Sequence, residues 1–301
     1  MTILSACTPR EQAVTPPLAP PKITAQAFIP SVDVVLPLRH WKAKQRPPRA
    51  IIIALHGFND YSHAFEGAAR YFALRGIDTY AYDQRGFGAS PQRGIWGSEA
   101  NLVSDAQQML AVVRAKHPGV PVFLLGESMG SAVAVEALAG DDVPSAAGVI
   151  LSSPALWGGE YFSVFLRTSL WMGAHLFPAH ELTGEGLHVQ ASDNIPMLRA
   201  LGRDPLILKK SRIDAVYGLA CLMDHAYNDA AKLDVPVLIL YGDHDQIIPA
   251  GPVHEFSRHL QTPYRFIEYD EGWHLLLRDL RAAQVWGDIA RWVLARGPAR
   301  P

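Results

Sequence analysis

From residue 50 onward the chain repeats one pattern, a short apolar run that ends in glycine or polar residues, followed by a stretch with helical spacing. The runs are AIIIALHG, DTYAYDQRG, VFLLGESMG, GVILSSPA, VPVLILYGD and YRFIEYDEG. The helical stretches include HAFEGAARYFALRG, SEANLVSDAQQMLAVVRAKH, SAVAVEALAG and RAAQVWGDIARWVLAR. Strands that are apolar on both faces have no side to give to water. Their alternation with helices calls for a mostly parallel central sheet covered by helices on both sides, an α/β fold. In such sheets chemistry gathers beyond the carboxyl ends of the strands.

Before this pattern, ITAQAFIPSVDVVLPLRHW reads as two antiparallel strands joined at a Pro-Ser turn. The alternation then fails once, between Ser153 and Pro236. That segment of about 80 residues shows no clear strand, yet it is too rich in Trp157, Tyr161, Phe162, Phe165, Trp171 and Phe177 to be a loop. It reads as a helical cap, residues 155–232, inserted into a core formed by 27–154 and 233–301. Residues 1–26 read as an N-terminal tail. Within it TPREQAVTPPLAPPK, residues 8–22, has the composition of a semi-rigid spacer.

The tail begins with Leu4-Ser5-Ala6-Cys7, which resembles a bacterial lipobox, although only three residues precede Leu4 and no apolar leader is present. Two readings stand. In one, Cys7 carries lipid and tethers a lipoprotein at the cell envelope; in the other, a chance tetrapeptide begins a cytoplasmic protein. The second cysteine, Cys221, reads as a small core residue, and two cysteines make neither a disulfide framework nor a metal cluster. Lys plus Arg is 27 against 29 for Asp plus Glu, a net charge of −2, so general electrostatic attraction to nucleic acid or to anionic lipid is not expected. No metal-ligand spacing and no glycine-rich dinucleotide loop occurs, so no cofactor is implied.

Chemistry concentrates at Gly126-Glu127-Ser128-Met129-Gly130. In a chain of this composition a Gly-x-Ser-x-Gly pentamer arises by chance roughly 0.1 times, so the motif alone decides little. Its context decides more. The pentamer directly follows an apolar strand and directly precedes a helix, where two glycines let strand and helix close up and leave Ser128 at the apex. The helix then points free N–H groups, that of Met129 first, at the place where negative charge develops on an attacked carbonyl.

A serine nucleophile needs a base, and the base needs an orienting carboxylate. Of twelve histidines, His274 in YDEGWHLLLRD follows a strand by a few polar residues and so falls at the same sheet edge as Ser128. His56 in LHGF is better explained as part of a turn that aims backbone N–H groups. For the carboxylate, GDHDQIIP supplies Asp243 and Asp245, one of which serves the turn itself.

Taken together, GESMG, HGFNDYSHAF, YDQRGFGAS, GDHDQIIP and EGWHLLLRD resemble the monoacylglycerol lipase and lysophospholipase branch of the α/β-hydrolase superfamily, over about residues 27–297. The cap segment ASDNIPMLRALGRDPLILKKSRIDAVYGL is similar to the insertion of bacterial members. The resemblance implies a Ser128, Asp245, His274 triad, because the Gly-x-x-Asp of the family pattern falls on Gly242 and Asp245. It also implies that Phe58, after His-Gly, gives the second oxyanion N–H beside Met129. Many members carry histidine where Glu127 stands, and Ser131 replaces a frequent glycine.

These readings lead to a serine carboxylic-ester hydrolase that works through an acyl-enzyme on monoacylglycerols or lysophospholipid-like single-chain esters. Activity is expected to rise with pH as His274 loses its proton. Trp157, Phe162, Phe165 and Trp171 are expected either to line an acyl tunnel and touch a lipid surface or to pack as the cap's own small core. An esterase of small non-lipid esters shares every catalytic residue, a serine peptidase or acyltransferase uses the same fold, and a binding protein that has lost the chemistry is the alternative of a different class.

Overall fold

The computed structural model describes residues 8–16, 19–140, 143–158, 161, 163–184, 186 and 189–296. The chain opens with β1 (Lys22–Ile23), β2 (Ala27–Ser31) and β3 (Val34–Trp41), which pair antiparallel. Alternating units follow: β4 (Ala50–Leu55), α1 (Glu66–Ala73), β5 (Ile77–Tyr82), α2 (Glu99–Lys116), β6 (Val122–Glu127), α3 (Met129–Leu138) and β7 (Gly148–Ser152). Next come α4 (Val164–Leu176), β8 (Glu181–Thr183), α5 (Ile195–Arg203), β9 (Lys210–Arg212) and α6 (Ile213–Asn228). The alternation resumes with β10 (Val237–Gly242), α7 (Ala250–His259), β11 (Tyr264–Tyr269) and α8 (Ala282–Ala295).

Nine strands form one sheet in the order β1-β2-β3-β5-β4-β6-β7-β10-β11, and every pair from β5 through β11 is parallel. The two-residue side-chain period of a strand explains how the sheet is covered. In β4, Ile51, Ile53 and Leu55 enter a core with α2, α3 and α6, whereas Ala50, Ile52 and Ala54 enter a second core with α1 and α8. Every residue of β4, β5, β6, β7 and β10 is buried, as strands between two helical layers must be. Helix α2 starts where the Ser98 hydroxyl accepts the Asn101 amide, which satisfies one of the free donors at the helix start.

Three details differ from expectation. The first turn falls at Val32-Asp33, because Pro30 is absorbed into β2 beside a register shift that spares it a ladder hydrogen bond. The segment between β7 and β10 is not purely helical, since β8 and β9 pair as a small antiparallel ribbon, Leu182 opposite Ser211. The tail departs furthest from a free spacer. Residues 10–15 lie docked on the body: Gln12 N donates to Trp96 O (2.8 Å), Arg10 N to Asp214 Oδ2 (3.0 Å) and Thr15 N to Asn101 Oδ1 (3.0 Å). The Asn101 side-chain amide also donates to Ala13 O (3.0 Å). One amide side chain that both donates and accepts can satisfy an extended strap of backbone, which explains how a proline-rich segment is held without a ladder. Cys7 lies outside the described residues.

Helix α6 joins the segment to the main core, burying Leu222, Met223, Ala226 and Tyr227 on one face. Helix α4 lies outside it, and Ala174 is its one buried described residue. No described helix is long and apolar enough to cross a membrane.

Candidate active site

Ser128 stands between β6 and α3 with φ 53° and ψ −119°, a left-handed conformation that a non-glycine residue adopts only under constraint. The constraint is visible in its neighbours. Ser128 N donates to Ser152 O at the end of β7 (2.9 Å), and Ser128 O accepts from Ser131 N (2.9 Å) and Ala155 N (3.2 Å). A Cβ on Gly126 would collide with the backbone of Gly130 and Ser131, and one on Gly130 would collide with the Leu55 carbonyl. Both glycines are therefore required by close approach of backbone to backbone.

The loop after β4 runs beside this elbow. An ideal Cβ on Gly57 would come within 3.3 Å of Ser128 Cβ and 4.0 Å of its Oγ, so His56-Gly57-Phe58 borders the hydroxyl directly. Buried His56 orders that loop. Its Nε2 accepts the Gln84 amide (2.9 Å), which leaves Nδ1–H to donate to Gly57 O (2.8 Å), and burial lowers its pKa, so the ring stays neutral. Gln84 Nε2 in turn donates to His56 O (2.8 Å). Among the described residues, neither the Phe58 nor the Met129 amide donates to a backbone acceptor, so both remain available to an oxyanion.

His274 lies on the loop after β11 and is buried, with Nδ1 2.8 Å from Asp245 Oδ2. The other carboxylate oxygen, Oδ1, accepts the amides of Ile247 (2.8 Å) and Ile248 (2.9 Å). The two loops are bound together, since His244 N donates to Gly272 O (2.9 Å) and Asp243 N to Tyr269 O (3.1 Å). Asp243 is thus a turn residue held by its backbone, and Asp245 is the one whose carboxylate meets the imidazole.

Two further groups hold the histidine loop, and sequence reasoning missed both. Arg278 Nη2 lies 2.8 Å from Glu127 Oε2 and 2.7 Å from Asp60 Oδ2. Burial raises the Glu127 pKa against the pull of Arg278; for Arg278 burial acts downward, but the Asp60 and Glu127 carboxylates overcome it and hold the guanidinium charged. Asp279 accepts the Ser192 hydroxyl (2.5 Å) and the Trp273 amide (2.8 Å), and burial pushes its pKa up to about 6. A usable signal was present: Glu127 ends a strand with no exposed face, and a buried charge there requires a partner.

The cap residues are arranged differently from a packed cap core. Trp157 packs partly buried against the main core. Phe165 is 82% exposed and Trp171 49%, so neither is enclosed in a tunnel or buried in a core. Trp171 stacks on His175 and borders a cleft of about 390 Å³ between α4 and α6, with Leu170, Tyr217 and Cys221. Cys221 is half-buried there instead of filling the core. Phe162 lies outside the described residues.

The family model described as Serine aminopeptidase, S33, matches residues 46–281. The monoacylglycerol lipase of Mycolicibacterium smegmatis is 25% identical over 255 residues, 82% of this chain and 89% of that one. Human monoglyceride lipase is 27% identical over 266 residues, 86% of each chain. Among solved structures, the Paleococcus ferrophilus monoacylglycerol lipase superposes with a TM-score of 0.72 at 21% identity, covering 87% of this chain and 99% of that one. A soluble variant of Saccharomyces cerevisiae monoglyceride lipase, solved with a substrate analogue, gives 0.75 at 18% identity over 97% and 99%. With an elbow serine, a carboxylate-held histidine and a family match over more than two thirds of its length, the chain belongs to the serine aminopeptidase S33 family and has the α/β-hydrolase fold.

Proposed function

We propose that this protein is a serine carboxylic-ester hydrolase acting on monoacylglycerols or similar single-chain lipid esters. The observation that carries the reading is the meeting of the strand-end loops. A serine at a strained turn after β6, an imidazole bound to a carboxylate across the loops after β10 and β11, and two backbone amides without a backbone acceptor all follow carboxyl ends of parallel strands, which supports this reading. Ser128 Oγ attacks the ester carbonyl as His274 Nε2 takes its proton, while the Phe58 and Met129 amides stabilise the oxyanion. His274 returns the proton to the departing alcohol, and water clears the acyl group by the same route. Asp245 fixes the tautomer in which Nδ1 carries hydrogen and Nε2 is free to accept.

The names of the relatives support the choice of ester, and the surface of α4 supports a lipid substrate. Val164, Phe165, Leu166, Trp171, Met172, Leu176 and Phe177 are exposed along and just beyond this one helix, more apolar surface than a soluble protein leaves bare without use. This face meets a lipid surface during substrate uptake. Lipid on Cys7 would hold the protein at the same surface, in the cell envelope, and mass spectrometry of the membrane fraction tests that attachment.

A chain-length series of monoacylglycerols, lysophospholipids and p-nitrophenyl esters, run beside an amide substrate and the Ser128→Ala variant, tests the function. Long-chain monoacylglycerol is expected to be turned over best. Preference for acetyl over octanoyl esters, or for the amide, would overturn the lipid assignment, and undiminished hydrolysis by Ser128→Ala would overturn the nucleophile.

A further inference from the structure

Three segments must keep register for the proposed reaction: the elbow that carries Ser128, the loop that carries Phe58, and the loop that carries His274. They come from distant parts of the chain, and backbone hydrogen bonds join the histidine loop mainly to the acid loop and the cap. One guanidinium touches all three. Arg278 is four residues beyond His274; its Nη2 meets Glu127, the residue before Ser128, at 2.8 Å and Asp60, two residues beyond Phe58, at 2.7 Å. All three side chains are largely buried, with 11% of Arg278, 1% of Glu127 and 12% of Asp60 exposed.

We propose that Arg278, clamped between Glu127 and Asp60, is a positioning residue that sets the placement of the oxyanion donors and the histidine relative to Ser128. The inference rests on the ester-hydrolase reading and deepens it. A surface ion pair would be loose and screened, but a buried bridge of this kind tolerates few geometries, because each partner strands the others when it moves. Two carboxylates converge on one Nη2, so a single nitrogen ties the histidine loop to the elbow and to the loop after β4. A glutamate in so buried a place needs a cationic partner, and Arg278 supplies it.

A misplacement of about 1 Å costs roughly 10²-fold in rate. Arg278→Met is accordingly expected to lower kcat about 100-fold with KM within about twofold, and Arg278→Lys to recover part of the loss, since an ammonium keeps the charge without the reach of the planar fork. Affinity for an alkyl trifluoromethyl ketone, which forms a tetrahedral adduct on the serine, is expected to fall by the same factor as kcat/KM. A stability role is separated by combining Asp60→Asn, Glu127→Gln and Arg278→Met, in which all three charges of the cluster are removed together. Thermal unfolding of that triple variant is expected to return toward the starting protein while kcat stays low. The proposal is overturned if kcat returns with stability, if Arg278→Lys is indistinguishable from the unmodified protein, or if ketone affinity is unchanged while turnover falls. Failure of the ester-hydrolase reading looks different: the unmodified protein would then neither hydrolyse esters nor take up a fluorophosphonate at Ser128. Asp60→Asn, which keeps the Glu127–Arg278 pair, supplies a readable variant should Arg278→Met not fold, and it is expected to lower kcat with the same KM signature.

Discussion

Asp245 divides its carboxylate between two tasks: Oδ2 meets His274 Nδ1 at 2.8 Å, and Oδ1 is held by the amides of Ile247 and Ile248. The carboxylate is fixed by its own turn as well as by the imidazole it meets. Asparagine at 245 would set an amide N–H or a weaker acceptor against the ring and favour the wrong tautomer. Asp245→Asn is therefore expected to lower kcat by about 10⁴. Asp243→Asn is expected to leave kcat nearly unchanged, because the backbone of Asp243 does the holding. Steady-state kinetics on one soluble ester checks both, and a reversed order of effects would reassign the acid.

The glycines of the elbow make a sharper test of packing than of chemistry. A methyl group on Gly130 meets the Leu55 carbonyl, a backbone atom of a central strand that cannot step aside. Gly130→Ala is expected to cost about 3 kcal/mol or more in urea unfolding, at or beyond the upper end for overpacked cores. Gly94 has φ +84° and open space around it, so Gly94→Ala is expected to cost about 1–2 kcal/mol, the left-handed backbone penalty alone. Equal losses at the two positions would mean that the Leu55 carbonyl yields to the added methyl and that crowding at Gly130 costs no more than a left-handed backbone.

The apolar face of α4 separates binding to a lipid surface from chemistry. Replacing Phe165 and Phe177, 82% and 68% exposed, with serine removes two aromatic side chains that would otherwise leave water on contact. At about 1.5–3 kcal/mol for each fully buried aromatic, the double variant is expected to lose more than tenfold in turnover of vesicle-borne long-chain monoacylglycerol. Hydrolysis of a soluble short ester is expected to stay within twofold, because both side chains are turned largely to solvent. Vesicle co-sedimentation gives the direct measure, and equal binding by variant and parent would remove α4 as the contact.

The parts of this molecule that were legible in advance are those where one local pattern has one physical solution. Strand β4, apolar at every position, had to lie between two layers, and the strand-then-helix frame around Ser128 placed it at an apex. Helix α4 was legible as apolar but not as exposed, because composition does not say which element covers it. The choice of Asp245 over Asp243 came from resemblance and not from spacing. Least legible were contacts between distant polar residues: Asn101 holding the strap, and Arg278 joining Glu127 to Asp60. Only the buried charge of Glu127 announced that a partner was owed.

The strap can be released by one change. Asn101 is buried and makes its amide contacts to Ala13 O, Gly97 O and the Thr15 amide within 3.0 Å. Asn101→Ala strands those groups, so a loss of about 1–3 kcal/mol is expected together with faster proteolysis within residues 8–22. Limited proteolysis followed by mass spectrometry reads the second effect. Unchanged cleavage with lowered stability would place the role of Asn101 in starting α2 and not in holding the strap.

Asp279 carries the clearest pH signature. Burial lifts its pKa from the ordinary 3.8 to about 6, although the Ser192 hydroxyl and the Trp273 amide favour its charged form. A carboxyl whose folded pKa is raised holds a proton between those two values that the unfolded chain has already released. Its contribution to stability is therefore complete below about pH 4 and is lost as pH rises through about 6. Asp279→Asn removes this component, so the stability difference between parent and variant is expected to shift in the variant's favour as pH goes from 5 to 7. A carbon-13 titration of the Asp279 carboxyl is expected to show a midpoint near 6. Because this carboxyl joins Ser192 of the cap to the amide next to His274, its ionisation acts on the cap and the base together, and a midpoint near 4 would mean that the two hydrogen bonds outweigh burial.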